Sequence, residues 1–174
     1  MLIGSSRSHT PLLETLAHCA RTLPDFRALI IGKSKAALEP EIRKLGLAER
    51  VTFSGLVSEE EKFRLLKSAR VFAMPSHCEG GGIVVGEALA AELPVVADEL
   101  APYRGVFGEF VRYVKCFDAE AFSHAVAAEV RAMRRNESYL RQLNLTDLMR
   151  SLSWAESRRH YQAVLDTMNG RWPE

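Results

Sequence analysis

With 174 residues, the chain has room for one domain with a sizeable core, and 47% hydrophobic with 26% charged residues is an ordinary globular balance. Its 23 basic and 22 acidic side chains nearly cancel, which argues against a strong nucleic-acid footprint. No apolar run approaches the ~20 residues that span a bilayer, and Cys19, Cys78 and Cys116 are too few and scattered for a disulfide framework or a cysteine-based zinc site.

Short apolar runs alternate with longer amphipathic ones. Residues 1–4 read as a strand cut from something longer. Residues 11–23 read as a helix, with Leu12, Leu13, Leu16, Cys19 and Ala20 at helical spacing, Thr10 as its cap and Pro11 at its first position. Residues 27–32 (RALIIG) form an apolar run ended by glycine, a buried-strand signal, and residues 36–45 a helix stopped by Gly46. Residues 50–53 are the next strand. Ser58 with Glu61 makes a capping box for a helix running to about residue 69. Strands follow at 70–74 and 94–97, with a helix at 82–91 between them. A sixth strand is expected at 110–114, and helix from 118 to about 168. This order predicts βαβ units, hence a doubly wound, Rossmann-like parallel sheet with helices on both faces, in a single domain over 1–174.

The chemistry is expected beyond the carboxyl end of the fourth strand, in residues 75–88 (PSHCEGGGIVVGEA). Gly80, Gly81 and Gly82 let the backbone approach a ligand and adopt positive φ. The helix start after them offers unpaired N–H groups and a positive dipole end, a site for a diphosphate. Glycine loops also make plain turns, so the two glutamates matter. Glu87 lies early in a helix that is otherwise apolar or glycine, where a carboxylate must be paired or face a cleft. Glu79 stands eight positions earlier, in the loop. The plainer alternative has Glu87 bonding a neighbouring backbone and Glu79 in solvent. Gly32-Lys33-Ser34 lacks the first glycine of a P-loop, Cys78 has no partner histidine placed by sequence, and Glu59-Glu60-Glu61 suits the first turn of a helix.

The spacing of Glu79 and Glu87 matches the E-x7-E motif of retaining glycosyltransferases of the two-domain GT-B architecture. Pro75-Ser76, Glu79-Gly80, Gly82-Ile83-Val84, Glu87-Ala88, Ala90 and Pro94-Val95-Val96-Ala97 follow in that family's order, as do Leu45-Gly46-Leu47, Arg50-Val51, Phe53-Ser54-Gly55 and Val57-Ser58 upstream and Ser153-Trp154 downstream. The chain thus resembles the C-terminal domain of a family-4 glycosyltransferase along nearly all its length.

The resemblance implies a nucleotide-sugar donor site with Glu79 at the donor sugar and Glu87 on the ribose hydroxyls. Backbone N–H groups of Gly82, Ile83 and Val84 would hold the diphosphate, Gly80 and Gly81 would also belong to the donor site, and residues 55–57, ending in Val57, would lie along the base. It implies no metal and no cofactor other than the donor substrate. Departures accompany it. The phosphate-binding arginine and lysine of the family fall at Ser5 and Thr10; Arg7 is the shifted substitute for one cation, and His9 is a poorer candidate. Glu92 stands where the family carries glycine. The acceptor half of the family's architecture is not represented, and the same or another chain is expected to supply it; Trp154, Tyr161 and Trp172 are candidate contacts to it. Nucleic acid is not an expected partner, and membrane contact is expected only through the missing half. An odd cysteine count without a signal peptide points to the cytoplasm, with peripheral attachment at the inner membrane surface as a further option, and Asn136-Glu137-Ser138 and Asn144-Leu145-Thr146 then read as chance glycosylation patterns. Two other readings stay open: a non-catalytic nucleotide-sugar-binding or scaffolding remnant, and a flavodoxin-like binding or signalling domain.

Overall fold

The computed structural model describes residues 1–3, 9–153 and 155–156. Six strands alternate with helices: β1 Leu2–Ile3, α1 His9–Thr22, β2 Ala28–Ile31, α2 Lys35–Lys44, β3 Val51–Gly55, α3 Glu59–Ser68, β4 Phe72–Met74, α4 Ile83–Ala90, β5 Val95–Asp98, α5 Ala101–Phe107, β6 Arg112–Val114, α6 Ala119–Arg134 and α7 Leu145–Ser151. The described residues up to Leu143 form one compact unit, and those from Asn144 onward belong to a second.

All strand pairs are parallel, in the order β3-β2-β1-β4-β5-β6. This is the doubly wound order, in which the winding direction reverses between β1 and β4. Alternate strand residues serve opposite faces because the side-chain period of a strand is two. Ile3, Ile30, Ala73 and Val96 join Leu12, Leu16, Leu38, Ile42, Phe122 and Val126 in one core, so α1, α2 and α6 cover that face. Their neighbours Leu2 and Phe72 point the other way, toward Leu66 of α3 and Val84 of α4. Being buried on both faces is why these strands are continuous apolar runs.

The capping box is formed: the Glu61 N–H donates to Ser58 Oγ at 3.2 Å, with Glu59, Glu60 and Glu61 in the first turn. Three expectations need correction. Helix α1 already includes His9, so Thr10 lies inside its first turn and Pro11 is its third residue, not its first. The expected long final helix breaks after Arg134: Asn136 takes φ 63°, a 3-10 turn spans Tyr139–Gln142, and α7 follows. Helix α5 was not expected, since the short APYRGVF carries Pro102 and Gly105; burial of Tyr103 and Phe107, four positions apart on one face, is what holds it.

Glu92 adopts φ 59° just beyond α4, the left-handed backbone that favours glycine. Glu92→Gly is therefore expected to raise the unfolding free energy by about 0.5–1 kcal/mol. A lower urea midpoint for the variant would contradict this.

Candidate active site

The reversal between β1 and β4 opens a crevice at the carboxyl edge of the sheet, and the segment after β4 enters it. Pro75 and Ser76 are buried, the chain surfaces at Cys78, Gly80 and Gly81, and α4 begins at Ile83. Only one of the three glycines is conformationally required. Gly82, the N-cap of α4, takes φ 67° and ψ 38°, and a Cβ there would sit 2.7 Å from Tyr103 Cε1 and 2.9 Å from Phe107 Cε2. A Cβ on Gly80 or Gly81 would meet nothing within 4 Å. No side chain caps α4. Its first backbone bonds run from Val85 and Gly86 N–H to Gly82 O, at 2.8 and 3.1 Å, so the amides ahead of them project from the helix end.

The helix is less enclosed than its apolar sequence suggests. Ile83 is 79% and Val84 37% exposed, forming an apolar lip above the crevice. Glu87, in the second turn, is neither solvated nor bonded to backbone: its Oε1 accepts from Lys62 Nζ at 2.6 Å, with both side chains about four-fifths buried. Lys62 also reaches Glu59 at 2.8 Å. Burial opposes the ammonium charge, but its bonds to Glu59 and Glu87 outweigh it and lift the Lys62 pKa above the ordinary value. A pocket of about 140 Å³ opens beside the pair, lined by Leu2, Ile31, Leu66, Phe72 and Val84. Lys62 carried no sequence signal beyond its (i, i+3) spacing from Glu59; the packing of α3 beside α4 brings it to Glu87, 25 positions on.

Glu79, half-buried ahead of α4, accepts from the buried Ser76 hydroxyl at 2.8 Å. Below it lies Asp98, the last residue of β5 and 3% exposed. Burial pushes the Asp98 pKa up to about 7, although a backbone bond from Ser76 pulls it down. His77 Nε2 stands 3.6 Å from Asp98 Oδ2. Burial and the charges of Glu79 and Asp98 raise the Tyr103 phenol. None of Asp98, His77 and Tyr103 was singled out from sequence as part of this network.

A carboxyl whose folded pKa is raised binds its proton more tightly in the folded state. Its contribution to stability is full below the unfolded value near 4 and is lost as the pH rises through about 7. Asp98→Asn is expected to flatten that slope, removing a pH-dependent change on the order of 2–4 kcal/mol between pH 4 and 8. Urea unfolding across this range measures it; an unchanged slope would show that Asp98 ionises freely.

Of the other expected positions, Val57 is half-buried and its neighbour Leu56 71% exposed beyond β3. Thr10 is exposed at the start of α1. Arg7 lies outside the described residues, as do Ser5, Trp154, Tyr161 and Trp172. Cys78 is exposed, and among the described residues no group of three or more His, Cys, Asp and Glu side chains is disposed to hold a metal. Among the described residues, no helix is long and apolar enough to cross a membrane.

The family described as glycosyl transferases group 1 matches residues 6–138. The chain belongs to the group 1 glycosyltransferases. That match sets aside the flavodoxin-like alternative. Among curated relatives, phosphatidyl-myo-inositol mannosyltransferase of Mycobacterium leprae is 34% identical over 134 residues, covering 74% of this chain and 35% of that protein. A D-inositol 3-phosphate glycosyltransferase of Mycobacterium sp. strain KMS is 36% identical over 91 residues, 48% of this chain and 21% of that protein. The glycosyltransferase chain therefore spans about a third or less of the length of these relatives.

Solved structures share its fold. The C-terminal domain of the group 1 glycosyltransferase LpcC from Francisella tularensis superposes with a TM-score of 0.69 at 18% identity, covering 87% of this chain and 84% of that one. TarM of S. aureus, crystallised with Fondaparinux, alpha-GlcNAc-glycerol and UDP, gives 0.78 at 14% identity, covering 94% and 35%. The fold is thus that of the C-terminal domain of a GT-B glycosyltransferase.

Proposed function

We propose that this chain is the donor-binding domain of a retaining, family-4 glycosyltransferase, which carries a sugar from a nucleoside diphosphate to an acceptor held by a further domain. The observation that carries the reading is the start of α4. An uncapped helix end, opened by a glycine that cannot accept a Cβ, is flanked by Glu79 in the loop and Glu87 in the second turn. Diphosphate oxygens suit the projecting amides and the positive end of the helix dipole, which would also stabilise charge developing on the leaving diphosphate. Glu87 accepts hydrogen bonds from ribose hydroxyls in this reading, with Lys62 keeping the carboxylate charged and oriented, and Glu79 faces the sugar. The chemistry calls on no metal.

Calorimetric titration with UDP, GDP and ADP and their sugar conjugates tests the reading. One nucleotide should bind. Glu87→Ala, which removes charge-assisted hydrogen bonds, should weaken it about 10- to 100-fold. Absence of binding at millimolar ligand, or an unchanged affinity in the variant, would sink it.

One observation favours a second reading, a binding or scaffolding remnant: the exposed Thr10 stands where the family resemblance implies a phosphate-binding lysine. If Thr10→Lys alone confers transfer or binding, the remnant reading prevails.

A further inference from the structure

Beneath the Glu79 loop lies a chain of contacts that the donor site as described leaves without a task. Asp98 accepts a backbone bond from Ser76, and the Ser76 hydroxyl donates to Glu79 Oε1 at 2.8 Å. The side chain of Asp98 is 5% exposed, yet its Oδ2 has no hydrogen-bond partner among the described residues. The atom it faces is His77 Nε2 at 3.6 Å, a separation that a small movement of the imidazole closes. A buried carboxylate oxygen without a partner is costly, so this gap is one that a proton would fill.

The imidazole is held in place from its other side. Phe117 packs its ring on His77 with centroids 3.8 Å apart, from a backbone at φ 68° that a side-chain-bearing residue rarely takes. Strain of this kind persists only where the surroundings enforce it, and it concentrates at working sites. The charged and titratable groups around the pair come from several elements. Tyr103 of α5 and Cys116 beyond β6 feel the charge of Asp98, and Glu14 of α1 and Asp118 ahead of α6 line the same small gap.

We infer that the His77–Asp98 pair is a positioning device for Glu79. Asp98 anchors the backbone of Ser76, the Ser76 hydroxyl orients the Glu79 carboxylate, and one proton held between His77 Nε2 and Asp98 Oδ2 keeps the series closed. When that proton leaves to solvent, the neutral imidazole keeps a single N–H for its two nitrogens, so the charge-assisted contact to Asp98 is lost and the loop's hold on Glu79 loosens. Neither residue touches the reacting atoms; both act through Ser76. The inference takes the importance of Glu79 from the function proposed above, but its test does not.

Carbon- and nitrogen-detected NMR of the 174-residue chain, titrated from pH 5 to 9, reads the Ser76 amide, the Glu79 carboxyl and the His77 ring separately. The Ser76 amide and Glu79 carboxyl signals are expected to move together as the proton between His77 and Asp98 is lost. Asp98→Asn, which is always neutral and can donate to His77, should keep the Ser76 and Glu79 signals near their low-pH positions and abolish their shared response. His77→Gln should abolish it too, which keeps the test open if Asp98→Asn does not fold. A Glu79 carboxyl that titrates alike in the parent chain and both variants would overturn the inference. Failure of nucleotides to bind would overturn only the function proposed for the site, leaving these signals to be judged on their own.

Discussion

Gly82→Ala is expected to lower the unfolding free energy by about 2–4 kcal/mol, while Gly81→Ala, one residue away, changes it by less than about 0.5 kcal/mol. Two costs add at Gly82. An alanine at φ 67° sits in the left-handed region, about 1 kcal/mol worse than glycine. Its methyl would also lie 2.7 and 2.9 Å from ring carbons of Tyr103 and Phe107, and overpacking of a filled core costs about 1–3 kcal/mol. Those rings cannot swing aside, because Tyr103 is fully buried and Phe107 2% exposed. The readout is the urea midpoint of each variant. The same substitution pushes the start of α4 off α5, so the nucleotide affinity proposed for this site should fall with stability at Gly82 and not at Gly81. Equal effects at both positions would refute the view that Tyr103 and Phe107 set where α4 begins.

Arg112→Ala is expected to cost about 3–5 kcal/mol. Glu129 of α6 has no exposed surface, and Arg112 of β6 supplies its counter-charge at 3.2 Å. Among the described residues no well-directed hydrogen bond reaches Glu129 Oε2, so the attraction of Arg112 there is mainly coulombic, while Ser138 donates to Oε1. Arg112 is 42% exposed and also lies over the Tyr139 ring, 5.3 Å from its centroid. Its removal strands a carboxylate that water cannot reach, the expensive half of a broken buried pair. One result would identify this cause: Glu129→Gln added to Arg112→Ala should recover most of the stability. A loss unrelieved by the second substitution would point to packing against Tyr139 instead.

These effects sit unevenly between what the residue order announces and what it conceals. Strands were readable because a parallel strand buried on both faces must be a continuous apolar run, as at Phe72–Met74 and in Val95, Val96 and Ala97. The cap of α3 was readable because Ser58 and Glu61 interact over three positions. The family was readable because its motif is an ordered series along one stretch of chain. Helix α5 was hidden, since its Pro and Gly mask a segment stabilised by what it packs against. The glycine triplet was over-read: Gly80 and Gly81 occupy open space, and only the neighbouring rings reveal that Gly82 is irreplaceable.

The amino-acid sequence by itself therefore determined the alternation of strands and helices as far as β5, the winding of the sheet and the pair of glutamates at the start of α4. Each rests on interactions between residues near in the chain, or on an apolar pattern that admits one arrangement. Only the tertiary structure decided what holds those glutamates: Lys62 on Glu87, and Ser76, Asp98 and His77 behind Glu79. Charges and hydroxyls brought together from separate elements leave no period in the sequence. Their meeting depends on how α3 packs beside α4 and how β5 ends beneath the loop after β4.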